Sequence, residues 1–191
     1  MILIVGLGNV GEKYQKTRHN VGFLAIDRLS ELYKTSWSKE RKFDAEIAQG
    51  QVDTKKLLLV KPTTYMNLSG KSIQTICSYY KINTHNMFVL HDDIDLEVAR
   101  IKYKFGGGNG GHNGLKSLDQ HLGKEYHRIR IGAGRPIAGS EEVSDYVLAN
   151  FSKDEYQIID SAINSIINNF HFLLVGEMDN FNKNTTQKMA K

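Results

Sequence analysis

MILIVGLGNVGEKYQKTRHN, residues 1–20, is the stretch on which the reading of the whole chain turns. Residues 1–5 form an apolar run rich in Ile, Leu and Val, too short for a helix, and read as a buried strand ending at Gly6. In open α/β sheets ligands bind outside the carboxyl ends of the strands, so Asn9, Tyr14 and His19 fall where a site is expected.

Gly6-Leu7-Gly8-Asn9-Val10-Gly11 also fits the G-x-G-x-x-G dinucleotide fingerprint. That fingerprint needs glycines that open a helix directly, so that the helix N-terminus can hold a pyrophosphate. Here residues 12–19 are mostly polar, and helical spacing starts only with Gly22, Ala25, Ile26, Leu29, Leu32 and Tyr33, with Asn20 placed as N-cap. Asp27 falls inside that helix, so no acidic residue closes a second strand to hold a ribose. No nicotinamide or flavin cofactor is expected, and the glycines are better read as allowing close backbone approach to a substrate.

Further along, residues 43–51 and 55–61 read as a strand pair ended by Pro62, which lacks a backbone donor. The polar turn Thr63-Thr64-Tyr65-Met66-Asn67 leads into a helix with the stripe Ile73, Ile76, Cys77, Tyr80. Residues 87–90 form another apolar strand that runs into His91-Asp92-Asp93-Ile94-Asp95. Four potential metal ligands lie there, but neighbours on an extended chain point in opposite directions and no second ligand cluster of suitable spacing follows, so no metal is expected. Asp93 and Asp95 read as a solvated turn.

Residues 100–105 and 127–131 alternate, with Ile101, Tyr103, Ile129 and Ile131 opposite Arg100, Lys102, Lys104, Arg128 and Arg130. Were these strands neighbours, unpaired like charges would repel and a bound phosphate would relieve the strain. Between them lies GGGNGGHNGLK, residues 106–116, whose glycines suit either close approach to a ligand or a gate beside the site. Asn113 stands where it could cap the following helix. Residues 143–151 read as a short helix with an apolar face able to cover a cleft, residues 159–170 as an amphipathic helix, and the chain from about 180 as a frayed tail without period.

The 191 residues suit one domain of soluble composition, with 40% hydrophobic and 24% charged residues. A net charge of +4 fits a polyanionic partner without requiring one. The single cysteine, Cys77, excludes an internal disulfide and, with no basic leader and no membrane-length apolar run, points to a cytoplasmic protein. The polar residues at strand ends hold one His with a carboxylate partner, several amides and no nucleophile elbow, which favours a His acting on water over a covalent mechanism.

GLGNVGEKYQKTRHNVGF, KPTTYMNLSG, HDDIDL, GGGNGGHNGLKS, HRIRIGAGRP and DYVL occur in the order and spacing of bacterial-type peptidyl-tRNA hydrolases, a family this chain resembles from the first strand to about Phe151. The resemblance implies a single α/β domain with a mixed, twisted sheet enclosed by helices. It also implies hydrolysis of the ester joining a peptide to the 3′ ribose of tRNA, without a cofactor or metal, by a monomer. By this resemblance His19 is the catalytic base, Asp92 orients it, and Asn9, Asn67 and Asn113 position substrate, with Asn9 favoured as donor to the oxyanion. Tyr14 and Met66 match cleft residues, His112 lies in the glycine loop as an access or binding residue, and Lys104 with Arg130 match a clamp for the tRNA 5′ phosphate. Two rival readings are a different hydrolase of the same fold, indifferent to the tRNA, and a noncatalytic RNA-binding module, indifferent to His19.

Overall fold

A computed structural model describes residues 1–186. Its strands are β1 (Ile2–Gly6), β2 (Ser38–Glu40), β3 (Ala45–Val52), β4 (Lys55–Pro62), β5 (Met87–Asp93), β6 (Ile101–Phe105) and β7 (His127–Gly132). Its helices are α1 (Val21–Leu32), α2 (Ser69–Tyr80), α3 (Asn113–Leu122), α4 (Val143–Leu148), α5 (Lys153–Leu174) and α6 (Met178–Thr185).

The seven strands make one mixed sheet in the order β2-β3-β4-β1-β5-β7-β6. β1 is central, parallel to both β4 and β5, and β5 is in turn parallel to β7. A strand buried on both faces needs apolar side chains at every position, which is why β1 shows no alternation. The outer pairs, β3 with β4 and β6 with β7, are antiparallel.

Two hydrophobic layers enclose the sheet. Ile4, Leu59, Phe88 and Ile129 face α1 and α5, whereas Leu3, Val5, Leu58 and Val89 face α2 and α3. Gly22 lets α1 press onto the ends of two strands, since a Cβ there would strike the carbonyl oxygens of Leu7 and Leu90. This close approach brings the start of α1, and the residues just before it, to the carboxyl end of β1 and β5.

Several details depart from the sequence reading. The tail expected to fray from about residue 180 instead forms α6 through Thr185, because Phe181 is fully buried and Thr185 nearly so; residues 187–191 lie outside the described residues. β5 runs on to Asp93 because Asp92 and Asp93 pair in register with Ile131 and Gly132. Leu32, counted in the α1 stripe, is half exposed. Among the described residues no helix is long and apolar enough to cross a membrane.

Candidate active site

The carboxyl ends of β1 and β5 meet at His19. Thr17 is extended, and the next three residues form a single 3₁₀ turn, Arg18–Asn20, that buries all three side chains before α1 begins. That turn points His19 at Asp92, the sixth residue of β5, and His19 Nδ1 lies 2.9 Å from Asp92 Oδ1. Donation from Nδ1–H to the carboxylate leaves the lone pair on Nε2, the tautomer a general base requires.

The same carboxylate oxygen takes a second histidine. His112 Nε2 lies 2.9 Å from Asp92 Oδ1, while His112 Nδ1 accepts from the backbone N–H groups of Gly114 and Leu115 at 3.1 and 3.2 Å. Because Nδ1 accepts, the His112 proton sits on Nε2 and is donated to Asp92. His112 is thus the side-chain cap of α3, a role the sequence had offered to Asn113, which is instead the exposed first residue of the helix.

Burial alone would hold both His19 and Asp92 neutral. For His19, burial lowers the pKa, yet the Asp92 charge and its hydrogen bond outweigh this and leave the value above the usual 6.5. For Asp92, burial raises the pKa, but its two histidine partners hold it well below the ordinary carboxylate range. A third histidine, His91, donates Nδ1–H to the Asp92 carbonyl at 2.6 Å. Burial first, and then the neighbouring His112, push His91 down to about 3, so it stays neutral.

His19, Asp92, His112 and Asn113 border one cavity of about 340 Å³, which Val143, Ser144 and Val147 of α4 also line. The short helix expected beside a cleft therefore does face one, through two valines and a serine. His19, Asp92 and His112 each offer one atom within 4.8 Å of the others, a separation a metal ion could bridge. The ring nitrogens that face Asp92 carry protons in this arrangement, so a cation bound through them would have to displace those protons, whereas His19 Nε2 keeps a free lone pair.

Asn9 lines a second cavity of about 670 Å³, which shares no lining residue with the one at His19. Its Oδ1 accepts from Met66 N at 3.1 Å, which commits the oxygen and leaves the amide Nδ2 as the donor. Asn20, expected as an N-cap, makes no capping bond; its side chain instead accepts from Asn9 N at 2.8 Å and donates to Asn9 O at 2.9 Å. The first loop is thereby pinned to the residue after His19. Met66 is buried, and its sulfur, His112 and Leu7 crowd the space beside Gly114, joining the Asn9 side of the site to the glycine loop. Tyr14 is half-buried and Asn67 exposed, and neither bonds to the His19 cluster.

Lys104 and Arg130 line a third cavity of about 230 Å³, which shares His91, Asp93, Asn109 and Gly110 with the one at His19. The two basic strands are indeed neighbours, with Lys104 opposite Arg128 and Lys102 opposite Arg130. The expected unpaired repulsion is nevertheless corrected by two aspartates. Arg128 is buried rather than solvated, bonding Asp119 at 3.0 Å and the carbonyls of Gly108 and Gly107 at 2.7 and 2.9 Å. Arg130 Nε bonds Asp93 Oδ2 at 2.7 Å, so Asp93 is not a solvated turn residue, whereas Asp95 does lie in an exposed turn as expected, paired there with the exposed Arg135.

Sequence reasoning passed over Arg18, and it read Asn20 only as an N-cap and His91 only as a metal ligand to be set aside. Their only signal was adjacency to His19 and Asp92, since a buried polar side chain looks like a surface one until its partners are known.

The whole chain can be compared with known proteins. A family model described as peptidyl-tRNA hydrolase matches residues 3–191. Peptidyl-tRNA hydrolase of Rickettsia bellii (strain RML369-C) is 55% identical over 181 residues, covering 95% of this chain and 97% of the relative. That of Rickettsia prowazekii is 54% identical with the same coverage. The crystal structure of peptidyl-tRNA hydrolase from Acinetobacter baumannii superposes with a TM-score of 0.92 at 35% identity, over 97% of this chain and 94% of that one. Sequence likeness above half identity and a shared fold along nearly the full length agree with a histidine held on a carboxylate at the strand ends: the chain belongs to the peptidyl-tRNA hydrolase family.

Proposed function

We propose that the peptidyl-tRNA hydrolase activity that comes with this family is carried by His19 as general base. The observation behind this reading is the 2.9 Å contact of His19 Nδ1 with Asp92, which fixes the tautomer with Nε2 free to take a proton. Water attacks the ester carbonyl as Nε2 accepts its proton. The imidazolium then returns that proton to the departing 3′ oxygen, releasing the peptide acid and free tRNA. Asp92 stabilises the imidazolium, and His112, by sharing the same oxygen, keeps the carboxylate fixed.

Asn113, at the rim of the same cavity, and Asn9, with its amide donor uncommitted, are the groups assigned to the peptide and to the developing oxyanion. Asn67, Tyr14 and Met66 are assigned to the walls of the peptide path. Lys104 and Arg130 are assigned to tRNA phosphate, a reading supported by the run of shared residues between their cavity and that of His19. We further assign a monomer acting in the cytoplasm, a reducing compartment that suits a single buried cysteine.

The test is release of an N-acylated aminoacyl group from tRNA by wild type and by His19→Ala, with folding checked by circular dichroism. Wild-type cleavage with a variant that binds tRNA but scarcely turns over is the expected result. Equal cleavage by both would remove His19 from the reaction.

A further inference from the structure

Arg18 precedes His19 in the 3₁₀ turn, but its side chain leaves in another direction and is buried, with 8% of the residue exposed. Its Nη1 donates to Asn150 O at 2.9 Å and reaches Ala149 O and Tyr146 O at 3.4 and 3.5 Å. Its Nη2 bonds Glu155 Oε2 at 2.8 Å, in the first turn of α5. The guanidinium also lies over the Tyr146 ring, 4.2 Å from its centroid. Arg18 N–H donates to Ala149 O at 3.1 Å as well, so backbone and side chain hold the same segment.

The segment held in this way is the end of α4. That helix has only six residues and no side-chain cap at its start. A helix so short has no stability of its own and takes its position from what it packs against. Yet Val143, Ser144 and Val147 form a wall of the cavity that holds His19. The last carbonyls of a helix lack partners within it, and a planar guanidinium can serve several at once.

We propose that Arg18 is a positioning residue for peptidyl-tRNA hydrolysis: through its bonds to the end of α4 it sets the distance between the cavity wall and His19, and so governs substrate binding rather than proton transfer. This rests on the assignment of His19 as the base. Arg18 makes no bond to His19 or Asp92 side chains, so the charge balance of that pair does not depend on it.

Arg18→Lys keeps the charge but loses the planar fork that spans the carbonyls and Glu155. With N-acylated aminoacyl-tRNA as substrate, KM is expected to rise about tenfold or more, with kcat within about threefold of wild type and the acidic limb of the pH profile unmoved. Glu155→Gln, which leaves the carbonyl contacts in place, should give a smaller rise of the same kind; it carries the test if Arg18→Lys does not fold. Restoration of KM in Arg18→Ala by added guanidinium chloride at non-denaturing concentration would further support the assignment. A lower kcat at unchanged KM, a shifted pH limb, or a loss of thermal stability with unaltered kinetics of the folded fraction would each overturn it. Those outcomes leave the His19 assignment untouched, since that one is judged by His19→Ala in the wild-type background.

Discussion

His19 Nδ1 and His112 Nε2 donate to one and the same oxygen, Oδ1 of Asp92, each at 2.9 Å. One carboxylate thus fixes the base and the residue that caps α3, which links proton chemistry to the position of the glycine loop. Asp92 is buried on β5 and held ionised by these two partners against the cost of burial.

The charge of Asp92 should be visible in the pH dependence. Only neutral His19 can accept a proton from water, so kcat/KM rises with pH through the His19 pKa, which Asp92 holds above 6.5 despite burial. In Asp92→Asn the opposing charge is gone while burial remains. The acidic limb should therefore move to lower pH, and kcat should fall by some part of the roughly 10²–10⁴ that a positioned base supplies. A pH–rate profile of the two proteins decides this, and an unmoved limb would mean that another group titrates.

His112 has two separable tasks. His112→Asn keeps a side-chain acceptor for the amides at the start of α3 but gives up the bond to Asp92; His112→Ala loses both. Stability in urea should fall by about 1 kcal/mol for Ala and little for Asn, the usual value of an N-cap. The fall in kcat should be shared by both variants and smaller than that of His19→Ala. Full activity in the Asn variant would show that Asp92 needs only one histidine.

Much of this site could be read from the chain because it lies at strand ends. Residues 1–5 and 87–90 announce themselves as buried strands by an unbroken apolar run, and the polar residues that follow must then sit at the sheet's carboxyl edge. What the sequence hid were partnerships. Arg128 alternates like a surface residue, and only the fold brings Asp119 and two loop carbonyls to it. α6 shows no helical stripe because its burial rests chiefly on Phe181 and Thr185, four residues apart, too few to make a period.

The two basic strand residues should not contribute equally to tRNA binding. Arg130 is already paired with Asp93, whose carboxylate opposes an incoming phosphate, whereas Lys104 is exposed. Lys104→Ala should raise KM and reduce the slope of log affinity against log salt by about 1, the share of one phosphate contact. Arg130→Ala should do less, and Asp93→Asn should strengthen binding. Equal and additive effects of the two basic residues, with no response to Asp93→Asn, would show that the ion pair is irrelevant to the tRNA.

α6 closes the exposed side of the strand that carries Lys104. Asn182 Oδ1 accepts from Tyr103 N–H at 3.0 Å, satisfying a donor on edge strand β6, and Phe181 fills the layer of side chains shared with α5. Edge strands left with unpaired donors are poorly held and prone to pair elsewhere. Phe181→Ala should cost about 3–5 kcal/mol, the usual range for a buried aromatic cut to alanine. Asn182→Ala removes only the edge contact, so it should lower stability less while loosening Lys104. Amide hydrogen exchange at Tyr103 should then speed up and tRNA KM rise, with kcat preserved because β7 stands between β6 and the strand that carries Asp92, and His19 is held by Asp92 rather than by β6. Unchanged exchange at Tyr103 in Asn182→Ala would mean that β6 holds its edge without the C-terminal helix.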